Sequence, residues 1–212
     1  MEARRLSRDR ASHWEAAYTD KQAEEQSWYQ QEPTSSLKAI SRIGGQPHNS
    51  LIDVGAGSSA LLLNLFKQGW YDLTALDISS AGLARAQTNA GEFAAKIDWI
   101  RADITQWKPA RHLDIWHDRA AFHFLTEADD RARYKAALMA GLRPGGYLIV
   151  ATFAPDAPEK CSGLPVCRYD AAGIDEALGD AFDLIAEWRD VHHTPWGTSP
   201  AFNWCVFEKD SS

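Results

Sequence analysis

Candidate chemistry is concentrated in a glycine-rich segment at positions 53–60, whose sequence is DVGAGSSA. Gly55 and Gly57 let the backbone turn and approach a ligand more closely than a residue with a side chain would allow. Ser58 adds a hydroxyl group to the same loop. About 20 residues further on, Asp77 stands where a carboxylate commonly accepts hydrogen bonds from the hydroxyls of a ribose. The spacing therefore predicts a site for a ligand that contains a nucleoside.

Two ligand classes fit this loop, and the nearby acidic residues favour one of them. The segment satisfies the G-x-G-x-x-A pattern of dinucleotide sites, so a nicotinamide cofactor is one alternative. Asp53 precedes the first glycine, and a carboxylate there suits a cationic amino-acid group better than a pyrophosphate. Asp103 and Ile104 follow a third predicted strand; the carboxylate could accept from an adenine amino group while the isoleucine stacks on the ring. These residues shift the balance away from a nicotinamide cofactor.

Ordinary structural roles remain open for several of these side chains. Asp77 stands just ahead of Ser79 and Ser80, so it could cap a helix instead of binding a ligand. Ile78 and Ile104 are candidates to sandwich an adenosine, but both could equally belong to the hydrophobic core.

Alternating strand-like and helix-like segments position these residues. Apolar runs predict strands at 51–54, 73–78, 97–101, 113–117, 147–153, 182–190 and 203–209. Helical patterns lie at 60–68, 79–90, 126–142 and 170–179, and Asp129 is expected to form a capping box with Thr126. Strands that are apolar on both faces and alternate with helices indicate a parallel sheet covered on both sides. The predicted fold class is α/β, doubly wound and Rossmann-like, and ligands of such folds bind beyond the carboxyl ends of the strands.

The ordered series of motifs over residues 51–153, which includes LRPGGYLIV at the fifth strand, resembles the class I S-adenosylmethionine-dependent methyltransferases. The resemblance implies a sheet of seven mostly parallel strands, whose antiparallel last strand is inserted by a hairpin, with helices on both faces. It also implies S-adenosyl-L-methionine as the cofactor and S-adenosyl-L-homocysteine as the product. The cofactor-binding residues that it implies are Asp53, Gly55, Gly57, Ser58, Asp77, Ile78, Asp103 and Ile104.

A second cluster of polar residues follows the fourth predicted strand, and its catalytic candidates are Asp118, Arg119 and His123. The stretch DRAAFHFL is similar to the D-R/K-G/A position of thiopurine-type and lysine-directed methyltransferases, where the acidic residue lies beside the methyl donor. Asp118 could contact the cofactor, attract a cationic nucleophile or accept a proton. Arg119 could hold a substrate carboxylate, or form a salt bridge with Asp118 or with an acid of the following helix. His123 could act as a general base or could pack under a helix.

The first 50 residues are polar, end in the chain-breaking segment GGQPHNS and form a predicted helical leader, ahead of a methyltransferase domain at 51–212. Their aromatic pattern is similar to the H-W-x-x-x-Y…W-Y leader of small bacterial methyltransferases and to the leader of citrate-synthase-lysine-type methyltransferases. The resemblance implies a lid that folds over the cofactor and shapes the acceptor site. Trp14 and Trp28 are therefore cofactor-binding candidates, although this aromatic stripe could simply dock the helix onto the sheet.

The composition argues against several classes of partner, among them nucleic acids, membranes and metals. The net charge of −7 argues against a nucleic-acid binder, and no apolar run approaches the ~20 residues of a membrane span. The N-terminal residues lack the apolar core of a secretory signal, and three cysteines cannot form a disulfide framework, so a cytoplasmic location is expected. The cysteines at 161 and 167 and the histidines at 192 and 193 do not match the spacing of zinc ligands, so no metal is predicted. The sequence carries no signal for an oligomeric state.

The predicted activity is methyl transfer from S-adenosyl-L-methionine to a small molecule that accepts the methyl group on sulfur or nitrogen. Aromatic and histidine residues in the leader, the fourth-strand loop and the C-terminal region favour a small, partly apolar acceptor. Protein-lysine methylation is the first alternative. Many lysine-directed enzymes have Lys followed by Gly after the acidic residue, whereas Arg119 follows Asp118 here, and this difference weakens the similarity to them. A non-catalytic protein that binds a cofactor or regulates a partner is the second alternative, and the intact glycine loop with its acidic residues argues against it.

Overall fold

The computed structural model describes residues 2–20, 26, 28–30, 32–195 and 197–211. Two helices precede the sheet, α1 (Glu2–Thr19) and α2 (Thr34–Arg42). The strands that follow are β1 (Leu51–Val54), β2 (Leu73–Asp77), β3 (Asp98–Arg101), β4 (Leu113–Arg119), β5 (Leu142–Phe153), β6 (Lys160–Cys161), β7 (Leu164–Pro165), β8 (Phe182–Val191) and β9 (Ala201–Lys209). The helices among them are α3 (Leu61–Lys67), α4 (Ser80–Ala90), α5 (Ala128–Gly141) and α6 (Ala171–Leu178).

Seven of the strands described form one sheet in the order β3-β2-β1-β4-β5-β9-β8. The pairs among β1 to β5 are parallel, whereas β9 is antiparallel both to β5 and to β8. The predicted α/β fold class, with seven mostly parallel strands and an antiparallel last strand, is confirmed. Strands β6 and β7 form a separate two-stranded ribbon.

Side chains that alternate along the central strands build two cores, one on each face of the sheet. Leu51 packs with residues of α2, α3 and α4 on one face. Ile52 points the other way and packs with residues of α5 and α6. Helices therefore cover both faces, as predicted, and the buried strands present their carboxyl ends at one edge.

Several boundaries differ from those predicted, and one of these differences changes the interpretation of the site. The fourth strand continues to Arg119 instead of ending at position 117, so Asp118 lies inside a strand and not in a loop. The fifth strand already begins at Leu142. Helix α5 begins at Ala128, after Glu127 in the capping position, and no side chain caps it, so the predicted pairing of Thr126 with Asp129 is wrong.

Candidate functional site

A cavity of about 150 Å³ lies beyond the carboxyl ends of β1, β2 and β4. The predicted site residues that line it are Trp14, Trp28, Asp53, Gly55, Ser58, Asp77, Ile78, Asp103, Ile104 and Arg119. Gly57, Asp118 and His123 are not among its lining residues. The predicted residues that line the cavity come from the leader, three strand ends and the loop after β3, so the fold brings together segments that are far apart in sequence.

The glycine loop follows β1 and turns sharply because Gly55 and Gly57 both have positive φ angles, +70° and +48°. A Cβ atom on Gly55 would lie 2.8 Å from the Cβ of Ala121, and one on Gly57 would collide with the hydroxyl of Tyr18. The backbone N–H of Gly55 donates to the carbonyl of Leu76, which ties the loop to β2. Only glycine fits both positions without moving these neighbours.

Asp77 is buried at the end of β2 and holds the turn that leads from this strand into α4. One carboxylate oxygen accepts from the backbone N–H of Gly57 (2.8 Å) and the other from that of Ser79 (2.7 Å). The cap of α4 is Ser79, whose hydroxyl accepts from the N–H of Gly82. Burial raises the pKa of Asp77 to about 6, although these N–H groups favour its charged form. Ser79, and not Asp77, is therefore the N-cap of α4. Asp77 instead lines the cavity.

Asp53, His117 and Ser36 form a buried chain of hydrogen bonds at the other side of the loop. His117 Nδ1 lies 2.7 Å from Asp53 Oδ1, and His117 Nε2 lies 3.0 Å from the hydroxyl of Ser36. All three residues line the cavity. The second oxygen of Asp53, Oδ2, is buried and has no hydrogen-bond partner among the described residues. A buried carboxylate oxygen without a donor is costly, so this atom fits a cationic ligand group such as the ammonium of S-adenosylmethionine.

Asp103 follows β3 and is held by residues that the sequence analysis did not identify. Its oxygens accept from the backbone and hydroxyl of Thr105, and Arg10 of helix α1 donates to it across 3.1 Å. Arg10 also forms an ion pair with Asp130. Arg10 lines the cavity as well, so the leader reaches the position predicted for the adenine.

Four aromatic rings cover the cavity on the leader side. Trp14 lies with its ring centroid 5.5 Å from that of Trp28 and 4.9 Å from that of Phe124. Tyr18 packs 5.5 Å from Trp28 and touches the glycine loop. Helix α1 is anchored beside this cluster by Glu15, which accepts from the hydroxyls of Ser79 and Ser80 and from the N–H of Ala81.

Arg119 ends β4, is half-buried and lines the cavity. Its Nη1 donates to the carbonyl of Trp28 (3.2 Å), and the guanidinium carbon lies 5.4 Å from the ring centroid of Phe202. No ion pair of Arg119 is found among the described residues, so the salt bridge considered with Asp118 or an acid of α5 is not formed. Burial lowers the pKa of Arg119 to about 10.

Asp118 does not lie in the cavity, which corrects its predicted position beside the methyl donor. Neighbouring residues of a strand point to opposite faces, so His117 and Arg119 face the cavity while Asp118 faces α5. Its carboxylate accepts from the N–H groups of Ala121 and Phe122 and from the hydroxyl of Tyr134 (2.8 Å). Burial raises the pKa of Asp118 to about 6. This geometry fits a structural carboxylate that holds the turn after β4.

His123 is also outside the cavity, and its geometry matches the packed alternative. The side chain is fully buried against the rings of Phe124, Phe153 and Phe202. Its Nδ1 accepts from the N–H of Phe153, and burial, together with the charge of Arg119, lowers its pKa to about 3. An imidazole with so low a pKa is a weak base, so the geometry does not support a proton-accepting role.

A second, more open cavity of about 650 Å³ adjoins the first. Trp28 and Cys161 line both cavities and therefore separate them. The outer cavity is bordered by Lys160, and by Arg189 in an ion pair with Asp156. Trp196, which stands between β8 and β9 in the sequence, lies outside the described residues.

Comparison with known proteins finds similarity in the central part of the chain. Residues 51–146 match the family model described as a methyltransferase domain. A curated relative, trans-aconitate 2-methyltransferase from Azoarcus sp. (strain BH72), is 31% identical over 104 residues. That match covers 48% of this chain and 38% of the relative, so the matched region spans well under half of the relative's length.

Solved structures share the fold across nearly the whole chain. A structure described as showing the conversion of a disulfide bond into a thioacetal group during echinomycin biosynthesis has a TM-score of 0.76 and 16% identity, over 95% of this chain and 93% of that one. The glycopeptide N-methyltransferase MtfA, complexed with S-adenosyl-L-homocysteine, has a TM-score of 0.67 and 16% identity, over 84% and 90%. Among the described residues, no helix is both long and apolar enough to cross a bilayer.

Proposed function

We propose that the protein is a class I S-adenosylmethionine-dependent methyltransferase that transfers a methyl group to a small molecule, with sulfur or nitrogen as the accepting atom; the match of residues 51–146 to a methyltransferase domain supports this proposal. The observation that carries the proposal is the buried Asp53 Oδ2, which has no hydrogen-bond partner among the described residues and lies in a cavity that Asp77 and the glycine loop also line. A cationic amino-acid group and a ribose on one ligand would satisfy both carboxylates.

The cofactor would be held by residues from three strand ends. Asp53 would receive its ammonium group, Asp77 its ribose hydroxyls, and Asp103 with Ile104 its adenine. When bound, S-adenosylmethionine supplies an electrophilic methyl group, whose carbon–sulfur bond breaks as a bond to the acceptor atom forms. The chain's own contribution is to align the acceptor, exclude water and keep the cofactor fixed.

The leader, residues 1–50, is proposed to act as the lid of this site. Trp14, Tyr18 and Trp28 line the cavity, and Arg10 and Glu15 attach helix α1 to the loops after β3 and β2. Aromatic rings over a cavity desolvate whatever it holds. A desolvated sulfur or nitrogen nucleophile reacts faster with a sulfonium than one surrounded by water.

A small acceptor fits this arrangement better than a lysine side chain of a protein. The cavity is lined by the leader residues Trp14, Tyr18 and Trp28, which would hinder a side chain that is carried on a protein surface. Asp118, which could attract a lysine ammonium, faces the opposite side of the sheet. The relative named for trans-aconitate and the fold neighbour named as a glycopeptide N-methyltransferase support methyl transfer to an acceptor other than lysine.

Two measurements test the proposal. Calorimetric titration with S-adenosyl-L-homocysteine, with NAD as the comparison ligand, should show binding of the first alone. A turnover screen should then show transfer of a labelled methyl group to a small thiol or amine and not to a panel of lysine peptides. Binding of NAD in place of S-adenosylhomocysteine would refute the cofactor. Tight binding with no transfer to any acceptor would favour the non-catalytic alternative.

A further inference from the structure

The guanidinium of Arg119 is a half-buried cation that forms no ion pair among the described residues. Arg10, the other arginine of the cavity, has ion pairs with Asp103 and Asp130. Among the described residues Arg119 makes one hydrogen bond, to the carbonyl of Trp28. Burial lowers the pKa of this group, and the charges of Asp53 and Asp190 oppose that shift without forming an ion pair with it.

The surroundings of Arg119 restrict how a ligand could approach it. One of its N–H groups is used by Trp28, and the ring of Phe202 lies close to the guanidinium. The remaining N–H groups have no acceptor among the described residues, and the side chain lines the cavity. The N–H groups of a guanidinium lie in one plane and match the two oxygens of a carboxylate.

Arg119 lies near the wall between the inner and outer cavities. It donates to the carbonyl of Trp28, and Trp28 lines both cavities. It also lies beside Phe202, which follows Ala201 in the sequence, and Ala201 lines the outer cavity. Lys160 borders the outer cavity, and Arg189 lies there in its ion pair, although Asp20 lines it too. An acceptor that enters from the outer cavity would therefore pass a lysine before it reaches Arg119.

We propose that Arg119 is the binding site for a carboxylate group on the methyl acceptor, so that the substrate class is small carboxylic acids with a separate sulfur or nitrogen nucleophile. This inference rests on the proposed function, because only a methyltransferase has a methyl acceptor. The binding of a carboxylate by Arg119 can nevertheless be measured without methyl transfer. The carboxylate accepts hydrogen bonds from the remaining N–H groups of Arg119 and orients the nucleophile toward the glycine loop. Arg119 is then a substrate-binding residue and not a proton carrier.

The test measures anion binding without turnover, so that it does not depend on finding the natural acceptor. Protein saturated with S-adenosylhomocysteine is titrated with acetate, benzoate, succinate and tricarballylate, and with the corresponding amides, by calorimetry and tryptophan fluorescence. At least one carboxylate should bind, and its amide should bind at least tenfold more weakly. Arg119→Gln should weaken carboxylate binding at least tenfold and leave the affinity for S-adenosylhomocysteine within about threefold.

Arg111→Gln is the matched control, since it removes the same charge from a surface ion pair with Asp72 outside the cavity. It should bind the carboxylate like the unmodified protein. Arg119→Lys, which keeps the charge and loses the planar fork, should bind with intermediate affinity.

Several results would overturn the proposal. These are equal binding of acids and amides, the absence of binding by every carboxylate, binding that survives Arg119→Gln, and a preference for inorganic phosphate over all carboxylates. If S-adenosylhomocysteine itself does not bind, the proposed function fails, and the same carboxylate titration on the protein alone still decides the Arg119 site. If the carboxylates bind through Arg119 but no acid is methylated, the site stands and the assigned activity fails.

Discussion

His117 Nδ1 lies 2.7 Å from Asp53 Oδ1, between neighbouring parallel strands whose register pairs these two residues. The contact fixes the orientation of the Asp53 carboxylate, since one oxygen faces the imidazole and the other has no hydrogen-bond partner among the described residues. Ser36 of helix α2 holds the opposite nitrogen of the ring. The carboxylate that is proposed to bind the cofactor is thus positioned by two residues outside the glycine motif.

Removal of His117 should weaken cofactor binding without abolishing the fold. His117→Ala leaves Asp53 without its hydrogen-bond partner, so the carboxylate loses its fixed orientation, and the dissociation constant of S-adenosylhomocysteine should rise roughly tenfold, about 1.4 kcal/mol. Ser36→Ala should have a smaller effect in the same direction. Calorimetry measures both, with the exposed His112 replaced by Ala as the control. Equal affinity in His117→Ala and the control would show that Asp53 does not need positioning.

Cofactor affinity should depend on pH through Asp77. Its pKa of about 6 in the ligand-free cavity lies above the ordinary value of 3.8, so the carboxylate is ionised at neutral pH and protonated as the pH falls through about 6. Ribose hydroxyls donate to the ionised form, and a proton must leave before that form can bind. The dissociation constant of S-adenosylhomocysteine should therefore be constant above about pH 7 and approach a tenfold rise per pH unit well below 6.

Asp77→Asn separates this effect from other titrations. The amide has no proton to lose when the ligand binds. The variant should therefore bind S-adenosylhomocysteine more weakly than the unmodified protein at pH 7.5. Its affinity should change by only about a factor of two between pH 5 and pH 7.5. A variant that keeps the full pH dependence would assign it to another group.

The structural role of Asp118 is tested through Tyr134, which lies on helix α5 away from the cavity. Tyr134→Phe removes the hydroxyl that donates to Asp118 and accepts from the indole of Trp116. The free energy of unfolding, measured with urea, should fall by about 1–3 kcal/mol because two buried groups lose a partner. Affinity for S-adenosylhomocysteine should be unchanged. A change in the pH profile of turnover, with normal stability, would instead restore a catalytic role for Asp118.

The error over Asp118 has a simple physical cause in the sequence. The apolar run predicts a strand that ends at position 117, so Asp118 and Arg119 follow the predicted strand and both could face a ligand. The strand in fact includes both residues, and its alternation separates them: Arg119 faces the cavity and Asp118 faces α5. Two further residues of strand therefore decide which side chain is available for chemistry.

Much of the fold and of the glycine loop could be predicted, because strand periodicity and the positive φ angles of Gly55 and Gly57 are local properties. The contacts of Arg10 and Ser36 could not. Arg10 meets Asp103 across 93 residues of sequence, and Ser36 meets His117 across 81. Such contacts depend on how the leader packs against the sheet and on the register of strands, and neither is encoded in a short motif.

The attachment of the leader should depend on Glu15. This residue accepts from the hydroxyls of Ser79 and Ser80 and from the N–H of Ala81, at the N-terminus of α4 where a negative charge is favoured. Glu15→Ala should detach helix α1 more often, so that amide hydrogen exchange in residues 9–19 becomes faster. The affinity for S-adenosylhomocysteine should fall by a factor of about 3 to 10, since Trp14 and Tyr18 cover the cavity less of the time.

Mass-spectrometric hydrogen exchange and calorimetry measure the two effects, and Glu92→Ala, at an exposed residue beyond the end of α4, is the control. Added S-adenosylhomocysteine should slow exchange in residues 9–19 in the unmodified protein, because a ligand under the lid stabilises the closed state. If Glu15→Ala and the control exchange at the same rate, the hydrogen bonds to α4 do not hold the leader. If the ligand leaves exchange in residues 9–19 unchanged in every variant, helix α1 packs on the sheet without acting as a lid.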